Sequence, residues 1–260
     1  MNLPKCKLCL NNFADKENSH IIPKFLCKGL FENINPRYAL SINKFGKGRK
    51  IQDTPKENNI LCSNCEHRIE IIETIFSKFF REIHSYKSLN EKFKIFQKGA
   101  QEYIECKNIN PTLFKLFIYS LVWRSSISNL FEFQSFKLNK NNEDEIRTIL
   151  NSNLKSNKAE LFENLNRIQD FTPYHNCIIK PKEKSASTRG IFSVSSMSND
   201  SHILLLVDIA ILFYTDNYSI GSVLEKYSNK QNEIVIITLG EKDAWFDLNK
   251  ALISKMLKQN

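Results

Sequence analysis

The stretch Leu61-Cys62-Ser63-Asn64-Cys65-Glu66 carries a pair of cysteines spaced like those of Cys6-Lys7-Leu8-Cys9 near the start of the chain. Each Cys-x-x-Cys pair sets two thiolates on one side of a tight turn, and two pairs complete the four-sulfur tetrahedron that zinc favours. Four thiolates leave no open coordination position, so the expected zinc is structural and any chemistry must be sought elsewhere. Cys27, Cys106 and Cys177 lack this spacing and are expected to be buried thiols.

The 52 residues between Cys9 and Cys62 are too many for a simple zinc ribbon. They suit a treble-clef arrangement, in which the second knuckle opens a helix. A long amphipathic helix is predicted from that point, over about 64–86: Ile69, Ile72, Phe76, Phe79 and Ile83 recur on one side, while Glu66, Glu70 and Glu73 gather on another. The segment 87–110 reads as a linker or short hairpin, with strands at 93–97 and 102–106. Beyond it, Pro111 suits the first turn of a helix that is apolar on nearly every side from Leu113 to Leu130. A second helix is predicted over 142–168, strands at 177–180, 190–195, 203–214 and 233–239, and a last helix over 245–257. The fold class is therefore α+β, a zinc-stapled finger in 1–86 followed by a mixed helical and β domain in 111–260.

At 42% apolar and 25% charged residues, the composition excludes a disordered or collagen-like chain. A net charge of +9 favours polyanionic partners. The signal is mild, because 29 lysines against 8 arginines among abundant Asn and Ile also fit a base-composition bias. No secretory leader opens the chain, and its longest apolar run, 203–213, is too short to span a bilayer. The expectation is a cytoplasmic protein without membrane contact, whose cysteines bind metal rather than form disulfides.

Between the knuckles lies Ser19-His20-Ile21-Ile22-Pro23, followed by Gln52-Asp53-x-x-x-Glu57 and Leu61-Cys62-x-x-Cys65-Glu66. In this order the chain resembles the HNH, or ββα-metal, endonucleases. It looks most like a bacterial branch marked by Ser-His-Ile-Ile-Pro, Leu-Cys-x-x-Cys-Glu and a tryptophan-arginine element, here Trp123-Arg124-Ser125-Ser126. The resemblance covers roughly the first 150 residues. It implies a metal-dependent endonuclease acting on nucleic acid, DNA by preference, and an effector role in prokaryotic antiphage defence, with 111–260 sensing, docking to a protein partner or restraining.

His20 matches the family's general base. Glu57 stands where the family has Asn and is assigned to orient His20. Glu66 replaces the metal-binding histidine, and Ser19 replaces the usual first ligand. Glutamate oxygens suit magnesium or manganese, so Glu66, with Glu70, Glu73 and the displaced His67, forms the candidate catalytic-metal set. The run Lys44-Phe45-Gly46-Lys47-Gly48-Arg49-Lys50 reads as a loop, in which Lys44, Lys47, Arg49 and Lys50 are candidate phosphate contacts. Trp123 and Arg124, set in an apolar helix, read as a core anchor and a buried ion pair. The altered signature leaves a second function open: a non-catalytic zinc module that binds nucleic acid or a partner protein.

Overall fold

The computed structural model describes residues 3–27, 29–31, 38–42, 48–85, 92–98, 101–107, 109–165, 174–182, 191–216, 219–229, 234–239 and 242–257. Its architecture is mixed α+β. A small two-stranded sheet pairs β1 (Ser19–His20) with β4 (Lys56–Glu57), antiparallel. The helix α1 (Ser63–Ser85) follows directly from the second knuckle. Asp15 fixes its start, accepting from the Ser63 backbone N–H at 2.7 Å and from the Ser63 hydroxyl at 3.1 Å. These contacts satisfy an otherwise orphaned donor and set a carboxylate at the positive end of the helix dipole.

The remaining strands join one nine-stranded sheet. They are β2 (Ala39–Ile42), β3 (Gly48–Ile51), β5 (Phe93–Lys98), β6 (Gln101–Cys106), β7 (His175–Pro181), β8 (Ile191–Ser196), β9 (Ser201–Leu206), β10 (Ile209–Tyr214) and β11 (Val235–Leu239). Their order is β3-β2-β8-β9-β10-β7-β11-β6-β5, antiparallel except for β2 with β8 and β11 with β7. The sheet thus draws strands from 1–86, from 87–110 and from 111–260.

Both faces of its centre are buried: β7, β9 and β10 are buried at every position, and Ile203–Leu206 and Ile209–Tyr214 read as apolar runs. Ile209, Ile211 and Phe213 of β10 face the larger core with α1 and α2 (Pro111–Ile127). Ala210, Leu212 and Tyr214 face the smaller one with α6 (Lys242–Leu257). α2 is capped by Asn110, which accepts from the Leu113 N–H, and is buried from Leu113 to Ile127. It meets α1 through aromatic contacts, with the rings of Phe76 and Phe117 stacked at 4.4 Å between centroids. Among the described residues no helix is long and apolar enough to cross a membrane.

Three predicted elements differ. The helix expected over 142–168 is broken into α3 (Lys140–Asn153) and α4 (Lys158–Leu165), because Leu154 leaves helical geometry at ψ 138°; the prediction's end, 166–168, lies outside the described residues. Its apolar stripe continued across the break, so periodicity alone hid it. The single strand expected over 203–214 is the hairpin of β9 and β10. The chain turns at Val207 and Asp208, with Val207 at φ +59°. The basic run expected as a loop ends in β3, which holds Arg49 and Lys50.

His202, on β9, is fully buried and packs against Phe136 and Phe213. Its Nδ1 lies 2.8 Å from the Ser196 hydroxyl, which in turn donates to the Lys137 carbonyl. Its Nε2 has no partner. Burial pushes its pKa down from 6.5 to about 4, since a proton on Nε2 would be a buried charge without an acceptor. The folded state therefore binds this proton only below about 4, whereas the unfolded chain binds it below about 6.5. Stability is expected to be complete above the upper value and to fall by up to about 3 kcal/mol as pH drops through the window. Urea unfolding at pH 7 and pH 4.5 should show a smaller acid loss in His202→Gln than in the natural protein. An equal loss in both would refute the assignment.

Candidate functional site

The sulfurs of Cys6, Cys9, Cys62 and Cys65 lie within 4.8 Å of one another, and those of Cys9 and Cys62 are 4.0 Å apart. Tetrahedral zinc with bonds of about 2.3 Å sets its sulfurs about 3.8 Å apart, so the four can hold a structural metal such as zinc. Local backbone bonds shape both knuckles: Leu10 N–H donates to the Cys6 carbonyl at 2.9 Å, and Lys7 N–H crosses to the Ile60 carbonyl at 2.9 Å. The second shell suits thiolates. Asn12 Nδ2 lies 3.7 Å from the Cys62 sulfur and Arg68 Nη1 lies 3.8 Å from that of Cys65. Without a cation the sulfurs cannot all be charged. The hydrogen bond from Cys65 holds the Cys6 thiol down at about 4, while that same bond, burial and the Cys6 charge drive Cys65 far up. Among the described residues this is the one cluster of three or more such groups.

Beside it, His20 ends β1 at an open cleft of about 670 Å³. The Thr54 hydroxyl lies 2.9 Å from His20 Nδ1 and 3.4 Å from Asp53 Oδ1, so with its own proton turned to Asp53 it would accept from Nδ1–H. In that arrangement Nδ1 carries the ring proton and Nε2, which has no hydrogen bond within the described residues, keeps its lone pair. Burial, then the charge of Lys56, lowers the histidine's pKa below its ordinary value and keeps the ring neutral near pH 7. Lys56 in turn holds Asp53 at 2.7 Å.

The opposite wall of the cleft is α1, presenting Glu70, Glu73, Thr74 and Ser77. Burial raises the Glu73 pKa against the opposing pull of Arg124. Arg124, 1% exposed on α2, joins the two walls. Its Nη2 is 2.5 Å from Glu73 Oε1, its Nη1 donates to the His20 carbonyl at 2.7 Å and its Nε to the Ser120 carbonyl at 3.1 Å. The buried ion pair read for Arg124 is thus present, and its partner is Glu73.

Other expected site residues are engaged elsewhere. Register pairs Ser19 with Glu57 and His20 with Lys56, and alternation sends Glu57 to the face away from His20. Glu57 accepts from the Ser128 hydroxyl at 2.6 Å and the Asn129 N–H at 3.1 Å, and Thr54 takes the orienting position. His67 Nε2 lies 3.0 Å from the Ser156 carbonyl, outside the cleft. Glu66 is buried with Oε2 unpartnered, as is the Ser19 hydroxyl. Arg49 pairs with the buried Glu132 at 2.5 Å, and Lys50 lies over the Tyr38 ring at 4.6 Å. Lys44 and Lys47 lie outside the described residues. Sequence reasoning missed Thr54, which carries no motif. Asp53 and Arg124 stood in quoted strings but were given no part in the site.

Comparison with protein-family models, with curated proteins and with solved structures gave no match. The protein as purified is expected to carry one zinc ion per chain. Cys62→Ser should lose the metal and the helical signal of α1 together, as metal analysis and circular dichroism would show. Metal-free protein with unchanged helicity would contradict the four-sulfur site.

Proposed function

We propose that the chain is a metal-dependent endonuclease of the HNH type that hydrolyses phosphodiester bonds in DNA. The observation that carries this reading is His20: an imidazole at a cleft with an acidic wall, its Nδ1 in contact with Thr54 and its Nε2 without a hydrogen bond among the described residues. That is the geometry of a general base, with its tautomer set by the bond on the far nitrogen. Further support comes from the order of elements. A knuckle, a β1–β4 pair carrying the histidine and a helix begun by the second knuckle follow one another in the order that a treble-clef, ββα-metal finger would have.

Glu70 and Glu73 on the cleft wall would hold a magnesium or manganese ion, an ion that takes one or two carboxylates and completes its shell with water and phosphate. When bound, the ion would stabilise charge on the phosphate. His20 would take the proton of the attacking water, and Arg124 would keep the base and the acidic wall in register.

A non-catalytic zinc module that binds nucleic acid or a partner protein is the second reading. It is favoured by the structural engagement of Glu57 and His67. A nicking assay on plasmid DNA with magnesium, manganese or zinc separates the two. His20→Ala is expected to lose about 10²- to 10⁴-fold in cleavage while keeping its structural zinc. Full activity in that variant would remove His20 as base, and a natural protein inert with every metal would leave the binding module.

A further inference from the structure

The cleft beside His20 is larger and more apolar than a phosphodiester needs. Its volume of about 670 Å³ lies within the roughly 300–1,000 Å³ typical of pockets that enclose small organic groups. Pro23, Phe25 and Phe31 contribute apolar surface to it. Phe25 is half-buried, and its ring is backed by Phe80 and Phe117, each 6.1 Å away between centroids, so it cannot easily swing aside. A phosphate gains nothing from such a lining, whereas a planar base gains stacking and burial. Bases within a duplex are stacked and paired, and none can enter a cleft without leaving the helix.

The polar wall narrows the choice of base. Thr74 Oγ1 donates to the Glu70 carbonyl at 2.8 Å, and Ser77 Oγ donates to the Thr74 carbonyl at 2.9 Å. A hydroxyl has one proton to give, so both face the cleft with lone pairs alone. The Glu70 carboxylate beside them is an acceptor as well. The α1 wall is thus a row of acceptors that runs about two helical turns from Glu70 to Ser77. Adenine and cytosine present an exocyclic amino group to such a row. Thymine sets two carbonyls around its single imino N–H, and their lone pairs would face those of the wall. Lys24, at the same cleft, supplies a cation for the strand's phosphates.

We propose that the cleft takes an unstacked nucleobase from a single DNA strand, and that the acceptor hydroxyls of Thr74 and Ser77 select amino-bearing bases over thymine. The inference rests on the nuclease reading for its substrate class and adds the strand state and the base preference.

The test uses the full-length, zinc-loaded protein with fluorescein-labelled oligo-dA, oligo-dC and oligo-dT of one length, and the oligo-dA/oligo-dT duplex. Binding is read by anisotropy without added divalent metal, and cleavage with magnesium or manganese. Oligo-dA and oligo-dC are both expected to bind, and to be cut, at least about tenfold better than oligo-dT, and better than the duplex. Base stacking within oligo-dA cannot produce this order, because oligo-dC must share it. The double variant Thr74→Val, Ser77→Ala should close the gap between oligo-dC and oligo-dT. Oligo-dA or oligo-dC falling to the level of oligo-dT, or a duplex bound as well as the single strands, overturns the proposal. If nothing is cleaved yet the binding order holds, the nuclease reading falls and the base cleft stands.

Discussion

Four sulfurs within 4.8 Å of one another are the constraint on which the first part of the chain depends. Buried thiols so close cannot all ionise without a cation, and with one they close a loop of more than fifty residues. That loop contains β1, β4 and Thr54. The second knuckle also fixes where α1 begins, through Cys62, Cys65 and the Asp15 cap. Both walls of the cleft are therefore tied to the four-cysteine cluster, α1 directly through Cys65 and β1 through the loop that the two knuckles bracket. A structural metal is an economical device here, because β1 and β4 have only two residues each and could not hold a register by themselves.

The second determinant is Arg124. One buried guanidinium donates to the carbonyl of His20 and to the carboxylate of Glu73, so a helix from beyond the finger holds the two walls at a fixed distance. Its burial would be costly without partners, and three oxygens satisfy it. The ion pair also limits what Glu73 can do. A carboxylate already paired with arginine is a weaker ligand than a free one, and Glu70, lining the same cleft with only the long 3.9 Å contact to His67 Nδ1, is left as the freer oxygen donor.

Much of this was legible in the sequence, and the limits have physical causes. The cysteine spacing, the helix after it and the alternation of apolar residues specify local geometry, and each reads directly from the order of residues. His20 was legible because its string is distinctive. The partners of His20 were not. Thr54 reaches it through the pairing of two-residue strands, which no periodicity reveals, and Glu57, the residue expected there, is turned away by the alternation of a strand. Three glutamates at helical spacing were read as one face, yet Glu66 is buried, Glu73 is paired and Glu70 alone is exposed. Which of them meets solvent is decided by α2 and by β1, and hence by contacts far apart in sequence. The break at Leu154 escaped because the apolar stripe runs on across it, and the turn at Val207 because a run buried on all sides shows no boundary in its pattern.

The proposed chemistry turns on the state of one imidazole. If Thr54 holds Nδ1–H and burial keeps the ring neutral, nitrogen-detected NMR of the histidine side chains at pH 7 should find His20 with a protonated Nδ1 and a bare Nε2. An Nε2–H tautomer, or a doubly protonated ring at that pH, would contradict it.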